Sequence, residues 1–448
     1  MSVKLTHMHL TINAKSDKIL PILVCYASTY FIYQDFEIPL TIGFLIVTLF
    51  IVAKVLIFPK IKTNMLGDAL LLLNVAVFIQ YIRPGANLNI DTIMCLLTML
   101  MFSLAAILAK PDKTLIKNTM DAVKVVALVF VTYVVFFAIF RDVFVVNIYP
   151  LLSEPSQLYY DRFLPRGFNP CVGASYTYTD YIIVLGIAGV CADLFNSKQK
   201  QNKKKNGFLL SYLLLGMLLV QRRGELVAMF VTLWLLWLIV SSTKKRIIII
   251  CVSLFSIVFA IAVIYYFFPI IKHWDAISRY IRTVELWQSG YDVTSGRTQL
   301  YKVAQQLFVD HPIFGIGWKQ FDNFVPTQFR VLHGEKVMDV HNNYLQFLCE
   351  TGVIGFIMIM IPMLILIVSP IRTLLLSLKR RYRDCIFVKD IIQTSIFAIV
   401  IQLFFFVVGF FDPCFYKSYF WCFYGLSVIF AIYSRNLKRR MVSSCINE

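Results

Sequence analysis

The sequence predicts an all-α polytopic membrane protein of about twelve transmembrane helices, with one large outer loop between spans nine and ten. Three observations predict it. Hydrophobic residues make up 59% of the 448 and charged residues 15%, whereas soluble domains sit near half apolar and a quarter charged. Mean hydropathy is +0.72. Apolar runs of the ~20 residues needed to cross a bilayer recur from end to end, and a chain that crosses so often must close its backbone hydrogen bonds within helices.

In order, the runs lie near 18–34, 38–58, 65–82, 91–109, 121–141, 175–196, 207–220, 224–242, 247–271, 352–376, 390–411 and 416–434. Basic clusters fall in alternate connections. Lys4, Lys15 and Lys18 precede the first span, and Lys60 and Lys62 follow the second. Lys110, Lys113 and Lys117 follow the fourth, SKQKQNKKKN (197–206) the sixth, TKKR (243–246) the eighth and KRRYRD (379–384) the tenth. RNLKRR (435–440) lies beyond the last. Positive-inside asymmetry makes all of these cytoplasmic, together with both termini. The chain then divides into a bundle of spans one to nine (1–271), a large outer loop carrying the candidate motif (272–351), and spans ten to twelve with a basic tail (352–448).

The net charge of +18 is spent on short loops, where lysines read as orientation signals and as contacts for membrane lipids. No basic groove for nucleic acid is expected. The ten cysteines form no CxxC and no metal-ligand spacing; Cys171 and Cys414 are the pair that could share an oxidising compartment. Charges within spans are few and near their ends (Lys54, Asp180), and the halves show no repeat. Both facts speak against a flippase or other transporter.

The outer side instead collects groups that orientation does not explain. QRRGE (221–225) puts Arg222 and Arg223 at the outer end of a tight hairpin, and SGRTQLY (295–301) puts Arg297 at the start of a helix-like stretch with Ser295 as its N-cap. PRGFNPCVGASYTY (165–178) adds Arg166. Arginine forks bind phosphate oxygens in pairs. HNNYLQFLCETGVIG (341–355) sets His341 at the outer mouth of span ten. There the positive end of the helix dipole favours a neutral imidazole, a competent general base. Asn342 is placed to fix the ring or to donate to a sugar, and Trp318, Tyr176 and Tyr178 to stack on one. Gly352 and Gly355 offer a close approach to a neighbouring helix.

These residues resemble the O-antigen ligase and O-antigen polymerase superfamily. His341-Asn342, nine residues, then Gly352-Val353-Ile354-Gly355 is similar to its His-Asn/Ser/Gln-x9-Gly-x-x-Gly motif. SGR with Arg297 and then HPIFGIGWKQF (311–321) resembles its large periplasmic-loop signature, and QRRGE its transmembrane arginine, with Arg223 better aligned because Gly224 follows. The resemblance covers roughly 220 to 360. It implies a GT-C-type, metal-independent, inverting glycosyltransferase of the bacterial inner membrane, with no cofactor and its active site facing the periplasm. His341 would be the base, Arg223 and Arg297 the diphosphate ligands, and Arg222, Arg166, Asn342 and Trp318 substrate-binding residues. The donor would be an undecaprenyl-diphosphate-linked glycan. The acceptor would be lipid A-core sugar for a ligase, a lipid-linked repeat for a polymerase, or a protein hydroxyl for an oligosaccharyltransferase. Other polysaccharide-assembly proteins are expected partners.

Overall fold

A computed structural model describes residues 65–444 apart from 85, 87–89, 109–110, 173–174, 197–199, 243, 249, 251–277, 291–293, 295, 327–337 and 383. Among the described residues every regular element is helical. The principal helices are α1 (Met65–Ile82), α2 (Ile90–Leu108), α3 (Lys113–Ile139), α4 (Glu154–Phe163), α5 (Tyr176–Asn196) and α6 (Lys200–Val220). They continue with α7 (Arg223–Val240), α8 (Ser278–Gln288), α9 (Arg297–Asp310), α10 (Asn343–Ser377), α11 (Val388–Val408) and α12 (Ser418–Ser444).

Of these, α1, α3, α5, α7, α10 and α11 are long and apolar enough to cross a membrane, which makes the chain a multi-pass membrane protein. The expected spans 18–34 and 38–58, with Lys54, and all but the first residues of 247–271 lie outside the described residues, so the structure describes fewer spans than the twelve expected. Helices α2, α6 and α12 occupy three further expected positions.

Two helices are buried along nearly their whole length and organise the rest. Helix α5 packs against α3, α6 and α11, and α11 against α5, α7, α10 and α12. Helix α1 lies on α10, and α2 on α12. Close helix approach uses small residues: a Cβ at Gly186 of α5 would collide with Ala127 of α3.

The two ends of the bundle differ. At one end Lys113 pairs with Asp390 at 2.9 Å and Lys124 with Asp193 at 2.6 Å, beside the basic stretches of α6 and α12. At the other end the ends of α1, α6, α7, α10, α11 and α12 meet the loop segments. Tyr81 contacts Trp318, Tyr280 Oη donates to Leu218 O at 3.2 Å, and Asn343 N to Gly409 O at 2.7 Å.

On that second end the large loop is folded. Helix α9 packs on the first turns of α10, and Leu300, Ala304, Leu307, Phe321, Val325, Met338, Val340 and Cys349 form their own small core. Gly296, at φ 82°, holds the N-cap position of α9. Ser295, the expected cap, lies outside the described residues.

Helix α10 begins at Asn343, earlier than the expected 352, and breaks at Gly352 (φ 63°, ψ −172°). The break opens the helical bonds from Val353 to Cys349 and from Ile354 to Glu350. The HPIFGIG segment satisfies all four groups: Val353 N donates to Pro312 O at 2.9 Å and Ile354 N to Ile313 O at 3.3 Å. Ile316 N and Gly317 N donate to Cys349 O and Glu350 O, each at 2.9 Å. Gly352 therefore meets loop backbone, not the neighbouring helix expected of it, and a Cβ there would collide with Ile313 and Phe314. Gly355 does face a helix, through Gln80 of α1.

Candidate active site

His341 precedes the helix. Asn342 is the N-cap, its Oδ1 accepting from Tyr344 N at 2.9 Å and Leu345 N at 3.1 Å. Capping engages the side-chain oxygen of Asn342, whereas donation to a sugar was expected of its amide nitrogen. Asn343 pins the helix start to the turn after α11. Its amide donates to Gly409 O, and its side-chain Nδ2 to Cys414 Sγ at 3.1 Å. Cys414 and Cys171 are both free thiols, so the disulfide considered for them is not formed.

His341 itself adopts φ 58°, left-handed for a residue with a Cβ, a conformation held by structure on both sides. Two residues earlier, Asp339 Oδ1 accepts from Lys319 Nζ and Gln346 Nε2, each at 3.1 Å. The imidazole Nδ1 is buried with no hydrogen-bond partner. Burial, and then the Arg297 guanidinium, push the imidazole down to about 4, with Asp412 and Asp339 opposing. The ring is thus neutral at pH 7, as the sequence predicts, but through burial and the Arg297 charge rather than through the helix dipole.

Arg222, Arg223 and Arg297 gather around Arg279 but meet different partners. Arg222 Nε donates to Glu225 Oε1 at 2.8 Å, and its Nη2 lies 3.4 Å from Asp412 Oδ1. Two nearly buried carboxylates therefore hold it. Arg223 Nη1 donates to the neutral Thr283 hydroxyl on α8 at 2.7 Å, and its guanidinium is near enough to Arg297 to be repelled. Arg297, first residue of α9, donates from Nη1 to Phe411 O at 3.0 Å. Arg297 thus brings a guanidinium group to the neutral imidazole, and Arg223 brings a second one close to Arg297.

Two expected site residues stand elsewhere. Arg166 is exposed at the end of a short 3-10 turn, its guanidinium 6.0 Å from the Phe163 ring. Trp318 is 2% exposed, covered by Tyr81, Phe347 and Tyr416, and Tyr176 and Tyr178 are buried as well. Protein covers their ring faces, so the sugar stacking expected of them has no open face in this structure.

The structure also adds residues that the sequence reading passed over. Asp412, in the turn GFFDPCFYK (409–417), accepts from Lys417 Nζ at 2.6 Å and Tyr181 Oη at 3.1 Å besides meeting Arg222. Burial alone would raise its carboxyl, but Lys417 and Arg222 hold it well below the usual range. Arg279 of α8 joins the arginines from a segment without a motif. The signal for Asp412 was one acid followed by proline between two apolar runs; for Arg279 there was none.

Residues 208–360 match the family model described as O-antigen ligase. This domain supports assignment to the O-antigen ligase and polymerase superfamily. The O-antigen ligase domain begins in α6, takes in Arg222, Arg223, Arg279, Arg297 and His341, and ends in α10 beyond Gly352 and Gly355. Asp412 reaches this domain's residues from outside it. No curated protein matches the chain.

Proposed function

We propose that this chain transfers a glycan from undecaprenyl diphosphate to an acceptor hydroxyl at the periplasmic face of the inner membrane, as an O-antigen ligase acting on lipid A-core sugar. The observation that carries the reading is a neutral imidazole with an uncommitted buried nitrogen, set beside Arg297, which in turn lies close to Arg223. His341 takes the hydroxyl proton as the acceptor oxygen attacks the anomeric carbon. The bond from that carbon to the phosphate oxygen breaks, its electron pair stays with the diphosphate, and Arg223 and Arg297 offset the charge. A single displacement inverts the anomeric centre. Arg222, held by Glu225 and Asp412, fixes the turn that presents Arg223.

A complementation series in the native strain, read by glycan gel and checked for membrane expression, tests this. Loss of His341 in His341→Ala should cost about 10²–10⁴-fold in rate, leaving lipid A without its ladder while long chains accumulate on undecaprenyl diphosphate. A single repeat on lipid A in the null strain would make the enzyme a repeat-unit polymerase with the same base. Normal glycan in His341→Ala would remove the general base.

A further inference from the structure

Arg279 sits near the start of α8, which is docked on the hairpin that bears Arg223. Its amide donates to Gln221 Oε1 at 3.2 Å, the adjacent Tyr280 holds Leu218 O, and Thr283 one turn on holds Arg223. The Arg279 guanidinium lies 3.7 Å from the centre of the Phe168 ring, a placement that supports a cation. Its Nη1 is buried and finds no hydrogen-bond partner. The nearby charges are mostly of its own sign: Arg222, Arg223 and Arg297 repel it, and Glu225, already bound by Arg222, attracts it. Burial first, then Arg222 and Arg223, push this guanidinium down to about 9. A fold with no use for an anion here gains nothing from a fourth half-buried arginine.

The glycosyl-transfer reading supplies the anion. A lipid diphosphate esterified to a sugar carries one negative charge on each phosphorus. When the sugar leaves, the bonding pair remains on the terminal phosphate oxygen, and the leaving diphosphate gains a further negative charge while the proton goes to His341. Two arginines match the donor; a third matches the leaving group. Resting on that reading, we infer that Arg279 is a third diphosphate ligand whose unpartnered Nη1–H binds the leaving group more strongly than the donor. Phe168 and Gln221 hold it in place, and it favours the state in which charge has developed.

The test uses the full chain in lipid nanodiscs, as wild type, Arg279→Gln and Arg279→Lys. Binding of undecaprenyl diphosphate and of undecaprenyl phosphate is measured for each, together with thermal unfolding without ligand. Arg279→Gln should weaken undecaprenyl diphosphate by about tenfold or more, the scale of one charge-assisted hydrogen bond, and undecaprenyl phosphate less. It should also raise the ligand-free Tm by relieving the repulsion, a sign opposite to that of a structural arginine. Arg279→Lys, which keeps the charge and loses the fork, should fall between, and it decides the matter if Arg279→Gln fails to fold. An unchanged diphosphate preference, or equal losses for both lipids with a lowered Tm, overturns the inference alone. Wild type that binds no undecaprenyl diphosphate overturns the donor reading, and this inference with it.

Discussion

At the hairpin between α6 and α7 two adjacent arginines meet different partners, and mutation should separate them. Arg222→Ala leaves Glu225 and Asp412, 4% and 5% exposed, as buried carboxylates without their arginine. Breaking such a pair costs roughly 3–5 kcal/mol, which thermal unfolding in detergent will register. Arg223→Ala removes a bond to a hydroxyl and relieves repulsion from Arg297. Donor affinity should fall. His341 gives a prediction in pH. Its folded-state value, about 4, lies below the ordinary 6.5. Acidification through that window protonates the unfolded chain first and removes stability. As a base it works only when neutral, so kcat/KM should hold from neutrality down toward pH 4. A bound diphosphate offsets Arg297, restores affinity for the proton, and should move the acid limb of kcat to higher pH than that of kcat/KM. Coincident limbs at an ordinary histidine value would contradict the buried imidazole.

At the scale of elements, the break in α10 joins the family's two loop signatures into one device. The HPIFGIG backbone takes over the hydrogen bonds that Gly352 interrupts, so the helix carrying Asn342 at its cap is held by the same segment that follows α9. Gly352→Ala would place a Cβ against Ile313 and Phe314 at a backbone conformation that only glycine tolerates. Strain alone costs about 1–3 kcal/mol and the collision adds to it, so thermal unfolding should show a loss of ~3 kcal/mol or more, with activity lost too. Gly207→Ala in α6, where a Cβ meets nothing, should instead gain roughly 0.5–1 kcal/mol. Both signatures were legible in the sequence, and so was the polar His341-Asn342 entry to the helix. Their partnership was not. Hydrogen bonds between the 312–317 segment and the 349–354 backbone leave no mark on residue type except the glycines, which read equally as helix-packing positions.

Over the whole molecule, hydropathy makes the helices legible, because each must bury its own backbone polar groups in lipid. It does not reveal which helices touch, since apolar surfaces are nearly interchangeable against lipid tails. That is why Asp412 and Arg279 escaped notice: each is a single charge in a turn or loop helix, and each gains meaning only when the ends of α5, α7 and α11 meet α8. The alternation of basic clusters did forecast that the lysine-rich ends of α3 and α6 would share one end of the bundle, opposite His341. Sidedness itself can be measured. Leu158 of α4 is 62% exposed near the His341 end, and Lys204 of α6 is exposed at the basic end. In a cysteine-free background, Leu158→Cys should react with a membrane-impermeant maleimide admitted to the periplasm of otherwise intact cells. Lys204→Cys should react only after the inner membrane is opened. The reverse pattern would turn the arginine cluster toward the cytoplasm, where lipid A-core exposed to the periplasm could not reach His341, and the acceptor would have to be sought on the other side.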